Sequence, residues 1–138
     1  MSENISGTLT PNDLSVMIID DDEDILSVVE ALLIDIGVTQ IVKASDGASA
    51  LQYFDQKDRS FDLIICDWIM PQESGLDVLR KMRERKPNIQ FIMLTRKTEQ
   101  QDIATAIDSG TDMYIKKPIS AESFQERIRY FLTTRNSS

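Results

Sequence analysis

The chain has 138 residues, with 15 Lys and Arg against 23 Asp and Glu, no His and one Cys, so its formal net charge is −8. That length suits one domain with its own core and no need of a disulfide staple. Without His there is no Ser-His-Asp triad, Cys-His pair or His zinc ligand, and one Cys makes neither an internal disulfide nor a cysteine zinc cluster.

Met1 to Asp13 is polar and aperiodic and reads as a mobile arm. Val16-Met17-Ile18-Ile19 is a short apolar run ending in acids, as in a strand buried on both faces. Ile25, Val28, Val29, Leu32, Leu33 and Ile36 then recur at helical spacing, and Gly37 stands where a C-terminal cap belongs. Gln40 to Ala44 reads as a strand, and Ala48, Leu51 and Phe54 mark a helix. Leu63-Ile64-Ile65-Cys66 is a third strand, ending at Asp67. Leu76, Leu79 and Met82 mark a helix that Pro87 ends. Phe91-Ile92-Met93-Leu94 is a strand ending at Thr95. Ile103, Ala106 and Ile107 belong to a helix closed by Ser109-Gly110. Met113-Tyr114-Ile115 is a short strand ending at Lys116-Lys117-Pro118, and Phe124, Ile128, Phe131 and Leu132 make the last helix.

Strands thus alternate with helices over one domain, residues 14–133, followed by a polar tail, 134–138. Near-continuous apolar strands and short connections point to an α/β fold with a parallel sheet covered on both faces. No apolar run approaches the roughly 20 residues that cross a bilayer. The first residues lack the basic and apolar regions of a signal peptide. The acidic balance disfavours nonspecific nucleic-acid or anionic-membrane binding. A cytoplasmic protein with no direct nucleic-acid or membrane partner is expected.

In open α/β sheets, ligands bind beyond the carboxyl ends of the strands. Those ends carry Asp20, Asp21 and Asp22, then Asp67, Thr95 and Lys117. Two carboxylates about 4 Å apart repel by roughly 4 kcal/mol at an effective dielectric near 20. Asp20, Asp21 and Asp67 together must share a proton, hold a cation, or both. Lys117 neutralises one charge, and the remaining oxygens suit a hard divalent ion such as Mg²⁺. An Asp beside such an ion, a hydroxyl and an ammonium can act as a nucleophile and become an aspartyl phosphate.

The pieces Ile18-Ile19-Asp20-Asp21, Cys66-Asp67-Trp68-Ile69-Met70-Pro71 with Gly75, Leu94-Thr95 and Tyr114-Ile115-Lys116-Lys117-Pro118 carry a family resemblance. Each is short, but all four occur in order at the ends of the expected strands. Over about Asp13 to Thr133 the chain resembles the CheY-like receiver domain of bacterial two-component response regulators. The resemblance implies a flavodoxin-like, doubly wound five-stranded sheet of order 2-1-3-4-5 with five helices. It implies that Asp67 accepts a phosphoryl group from a phosphohistidine on a sensor histidine kinase or His-phosphotransfer protein. Asp20, Asp21, Asp67 and the backbone carbonyl of Ile69 would hold Mg²⁺. Thr95 and Lys117 would contact phosphoryl oxygens, Lys117-Pro118 would be cis, and Tyr114 would switch rotamer as the Thr95 loop moves. A single-domain switch of this kind signals by binding a downstream protein effector and is not an enzyme beyond its own phosphorylation and dephosphorylation.

Arg96 departs from the family pattern, in which the position after Thr95 is small. Arg96, Ile69 and Lys97 are the candidates for controlling access of donor and water to Asp67. Other readings stand beside this one. An interaction module keeping the fold but working unphosphorylated is favoured only by Arg96, and a fragment of a longer regulator is a further alternative. A haloacid-dehalogenase phosphatase would need a second Asp where Ile69 stands. An EF-hand loop would need Gly and Glu where Ile25 and Ala31 stand. Asp22 and Asp24 read as a helix start, with Asp22 or Glu23 near the N-cap. Cys66 is expected in the core, and Trp68 either packs the loop or meets a partner. Arg80 to Lys86 reads as a solvated basic face or a site for an acidic partner.

Overall fold

Alternation along each apolar run decides which face of the sheet a side chain joins. The computed structural model describes residues 10–96 and 110–136, with side chains as far as Thr133. In chain order the elements are β1 (Ser15–Ile19), α1 (Glu23–Asp35), β2 (Gln40–Ala44), α2 (Gly47–Phe54), β3 (Leu63–Asp67), α3 (Gly75–Arg85), β4 (Gln90–Thr95), β5 (Met113–Lys116) and α4 (Ala121–Asn136). All strand pairs are parallel, in the order β2-β1-β3-β4-β5. Val16 and Ile18 of β1, Leu63 and Ile65 of β3, and Ile92 and Leu94 of β4 pack on one face, against Val29 and Leu33 of α1 and Phe124 and Ile128 of α4. Met17, Ile19, Ile64, Cys66, Phe91 and Met93 pack on the other, against Ala50 of α2 and Val78, Leu79 and Met82 of α3. Fully burying an aliphatic side chain stabilises by about 1.5–3 kcal/mol. Burial on both faces therefore fixes the register of the central strands, because a one-residue slip would exchange the two sets.

Local signals set the helix ends. Asp22 caps α1 by accepting from the Asp24 N–H at 2.9 Å. Gly37 (φ 102°) closes it, donating to Ile34 O while Val38 N–H reaches Leu33 O at 3.0 Å. Ser74 and Asp77 form a reciprocal capping box on α3. That helix stops one residue before Lys86 and two before Pro87.

The sheet and its order agree with the expectation. Four α-helices lie among the described residues; the helix expected around Ile103, Ala106 and Ile107 lies outside them, as does Lys97. The buried face of α1 is rotated from the expected stripe: Leu26 is buried with Val29 and Leu33, whereas Val28 is 44% exposed. Periodicity alone could not choose, because apolar residues occupy more of this helix than the sheet can cover. In α2, Ala50 is buried and Ala48 exposed. At the end of the expected arm, Pro11–Asp13 form a short 3-10 turn leading into the buried Leu14.

Candidate functional site

The same alternation continues past the strand ends and assembles the polar cluster. Asp20 follows Val16 and Ile18, Asp67 follows Leu63 and Ile65, and Lys117 follows Ile115, all on the α1/α4 side. Ile19 is in register with Cys66, so Asp20 and Asp67 come side by side one step beyond. Asp20 is fully buried, and its two oxygens are used separately: Oδ1 accepts the Asp22 N–H at 2.9 Å, and Oδ2 accepts from Lys117 Nζ at 2.8 Å. The same ammonium lies 3.1 Å from Asp67 Oδ1. The Lys117 N–H donates to Thr95 O at 2.8 Å, which ties the end of β5 to the end of β4. The Lys117-Pro118 peptide is cis, as the resemblance implies.

Asp20, Asp21 and Asp67 each offer a carboxylate oxygen within 4.8 Å of the others. Asp20 and Asp67 are buried; Asp21 is exposed. Burial, then the Asp20 charge, push the Asp67 carboxyl above its ordinary value, while Lys117 pulls it down. Lys117 is opposed by burial, but its bond to Asp20 and the charges of Asp20 and Asp67 together hold its pKa above the ordinary value. One ammonium therefore does not balance the three acids. The donor set is all carboxylate oxygen, which fits a hard divalent cation and not a soft one.

Behind Asp67 the chain is tightly confined. Trp68 N–H donates to Leu94 O at 2.9 Å, and Gly75 N–H to Trp68 O at 2.7 Å. A Cβ on Gly75 would lie 2.5 Å from Asp67 O and 2.8 Å from Met93 Sδ, so only glycine fits this crossing. Trp68 is 6% exposed and belongs to the core under α2 and α3, so of its two readings the packing one holds. Cys66 is buried and free, as expected, and burial first, then the charges of Asp67, Asp20 and Glu73, push its thiol up.

Ile69 is 58% exposed and, with Arg96 and Lys117, lines a cleft of about 410 Å³ that opens on Asp20, Asp21, Asp22 and Asp67. Thr95 is buried at the end of β4. Tyr114 is half-buried against the α2/α3 side, and its carbonyl accepts from Arg127 of α4 at 2.9 Å. The basic run on α3 is a solvated face, exposed at Arg80, Lys81, Arg85 and Lys86, and its cations have partners. Arg80 pairs with Asp77, Lys81 with Glu73, Arg83 with Asp112 and Arg85 with Asp55, while Lys86 Nζ bonds Phe61 O. Met82 of the same run is buried in the core. Glu73 is a residue that the sequence pattern did not single out; its partners lie on two other elements and leave no periodic trace.

A family profile described as "Response regulator receiver domain" matches residues 16–129. Among curated proteins, the chain is 35% identical over 91% of its length to "Transcriptional regulatory protein DltR" of Streptococcus agalactiae serotype III (strain NEM316), covering 54% of that protein. It is 32% identical over 83% of its length to "Chemotaxis protein CheY" of Pseudomonas aeruginosa, covering 93% of it. The chain therefore spans about half the length of the DltR relative and nearly all of the CheY relative. Among solved structures, a signal receiver domain of an HD domain-containing protein from Pseudomonas fluorescens Pf-5 superimposes with a TM-score of 0.79 at 27% identity, covering 91% of this chain and 98% of that one.

Proposed function

The chain belongs to the response regulator receiver domain family, and on that premise we propose that it is a phosphorylation-driven switch with Asp67 as phosphoryl acceptor. The observation that carries this is the buried Asp67 carboxylate, 3.1 Å from Lys117 Nζ and within a three-carboxylate cluster at the carboxyl end of the sheet. One Asp67 oxygen attacks phosphorus as the N–P bond of a partner phosphohistidine breaks, and the imidazole nitrogen keeps the bonding electron pair. Lys117, already between Asp20 and Asp67, moves its ammonium onto a phosphoryl oxygen, and the Thr95 hydroxyl donates to another. Asp20, Asp21, Asp67 and the Ile69 carbonyl would hold Mg²⁺, which when bound offsets the charge of the carboxylates and of the incoming phosphoryl oxygens. A phosphoryl group adds about two negative charges, and that change is what Thr95 and Tyr114 transmit. Ile69, Arg96 and Lys97 control access.

The partners are a sensor histidine kinase or His-phosphotransfer protein upstream and a protein effector downstream, in the cytoplasm. The receiver unit extends over residues 14–133. No helix among the described residues is long and apolar enough to cross a membrane. The CheY relative, almost wholly covered, favours a stand-alone switch; the DltR relative, covered over about half, favours a receiver segment of a longer regulator as the second reading.

Incubation with acetyl phosphate, read by intact mass, tests the proposal. Wild type should gain one phosphoryl group with Mg²⁺ and none without it, and Asp67→Asn should gain none. No adduct in wild type would favour an interaction module that works unphosphorylated. Release of phosphate from unrelated esters would favour a phosphatase.

A further inference from the structure

Beside the acidic cleft lies a larger one of about 700 Å³, and Asp21 lines both. Its walls include Gly47 at the start of α2, Glu73 in the β3–α3 connection and Lys81 on α3. Glu73 is largely covered, its side chain 18% exposed, and its oxygens divide between two elements. Oε2 accepts from Lys81 Nζ. Oε1 sits against Gly47, so close that a Cβ added there would lie 2.1 Å from it. The Glu73 hydrogen bond raises the Lys81 pKa, so the Lys81 ammonium stays charged at neutral pH. The connection that Glu73 anchors also carries Ile69, four residues earlier, beside the acidic cluster.

We propose that Glu73 is a positioning residue for the metal site: wedged between Gly47 and Lys81, it clamps the β3–α3 connection and so fixes the Ile69 carbonyl next to Asp20, Asp21 and Asp67. This rests on the metal reading given above. The connection has other anchors at its ends, namely the Trp68 and Gly75 hydrogen bonds and the Ser74–Asp77 capping box. Between them Met70 is buried in the core that Ala50 of α2 shares, Pro71 and Gln72 are exposed, and Glu73 lies against Gly47 at the start of α2.

The clamp and a plain charge effect predict opposite signs for Lys81→Ala, which makes the assignment testable. If Glu73 acted only by attracting the cation, Glu73→Ala would loosen Mg²⁺ and Lys81→Ala would tighten it. If the pair is a clamp, both loosen it. The measurement is a Mg²⁺ titration of the full chain followed by Trp68 fluorescence. Glu73→Ala and Lys81→Ala should each weaken binding about threefold to tenfold. The double variant should be no weaker than the weaker single, and Glu73→Gln, which keeps an oxygen for Lys81, should recover most of the loss. Gly47→Ala should weaken binding by displacing the carboxylate, and should add nothing in the Glu73→Ala background. Opposite signs, additive losses or unchanged affinity in both singles would overturn the clamp. Asp21→Ala separates the two levels: if it binds Mg²⁺ as wild type does, the metal site and the clamp's role fall together. If it loses binding while Glu73→Ala and Lys81→Ala do not, the clamp alone falls.

Discussion

Asp67 is 7% exposed, and burial with the Asp20 charge holds its carboxyl above its ordinary value of 3.8. Between 3.8 and the raised native value, the native state binds more protons than the unfolded chain. Stability of the metal-free protein therefore falls as pH rises through that window, and the loss persists above it. Asp67→Asn should then stabilise the metal-free protein at pH 7 by about 1 kcal/mol, a typical size for a single substitution. The gain should vanish in acid below the ordinary carboxyl pKa, and Mg²⁺ should stabilise wild type but not the variant. Urea melts at both pH values, with and without Mg²⁺, measure this. A variant less stable than wild type at pH 7 would show that the Lys117 contact outweighs the repulsion. Arg96 sets a second contest at this scale. It is exposed on the rim of the cleft over Asp67. A well-aligned charge-assisted contact to a phosphoryl group would be worth roughly 1.5–3 kcal/mol, but an exposed pair typically yields about 0–1 kcal/mol. Bulk should therefore win over charge. Arg96→Ala is expected to speed both phosphorylation by acetyl phosphate and loss of phosphate, measured at fixed Mg²⁺ and ionic strength. Slower phosphorylation in the variant would make Arg96 a phosphoryl-binding residue instead.

Elements differ in how far their sequences declare them. The central strands are buried on both faces, so β1, β3 and β4 appear as unbroken apolar runs with few rival interpretations. Helix caps were also legible, since Asp22 and Gly37 act through bonds to their own neighbours. The face of α1 was not. Ile25, Leu26, Val28, Val29, Leu32, Leu33, Ile34 and Ile36 nearly encircle it, and only docking on the sheet selects Leu26 over Val28. The α3 basic run is solvated, as one of its two readings has it, with Arg80, Lys81, Arg85 and Lys86 exposed, but its ion pairs were not legible. Its partners Asp55, Asp112 and Glu73 are brought in by other elements, and a charge pattern read along one helix cannot show them. Trp68 was ambiguous because a loop residue next to a strand-end Asp can face either way; here the core under α2 and α3 takes it.

Across the whole molecule, parity links the core to the site. The alternation that sends Val16, Ile18, Leu63, Ile65 and Ile115 to the α1/α4 side also delivers Asp20, Asp67 and Lys117 to one place. The convergence of strand ends was legible because a parallel sheet presents all its carboxyl ends on one edge. What was not legible is the division of labour within it: Lys117 shared between Asp20 and Asp67, Asp20 sealed from solvent, and Asp67 at the floor of the open cleft. On the proposed function, that division favours Asp67 as the carboxylate that reacts. Asp20 has one oxygen on the Asp22 N–H and the other on Lys117, with no exposed surface, whereas Asp67 faces the cleft. Around the site, the Lys117 N–H bonds Thr95 O and the Tyr114 carbonyl accepts from Arg127 of α4. The direct test is to phosphorylate the protein with acetyl phosphate and Mg²⁺, reduce the acyl phosphate with borohydride, and locate the resulting homoserine by peptide mass spectrometry. Homoserine at position 67, with Asp20, Asp21 and Asp22 intact, is the predicted result; homoserine at any of those three in place of 67 would contradict the assignment.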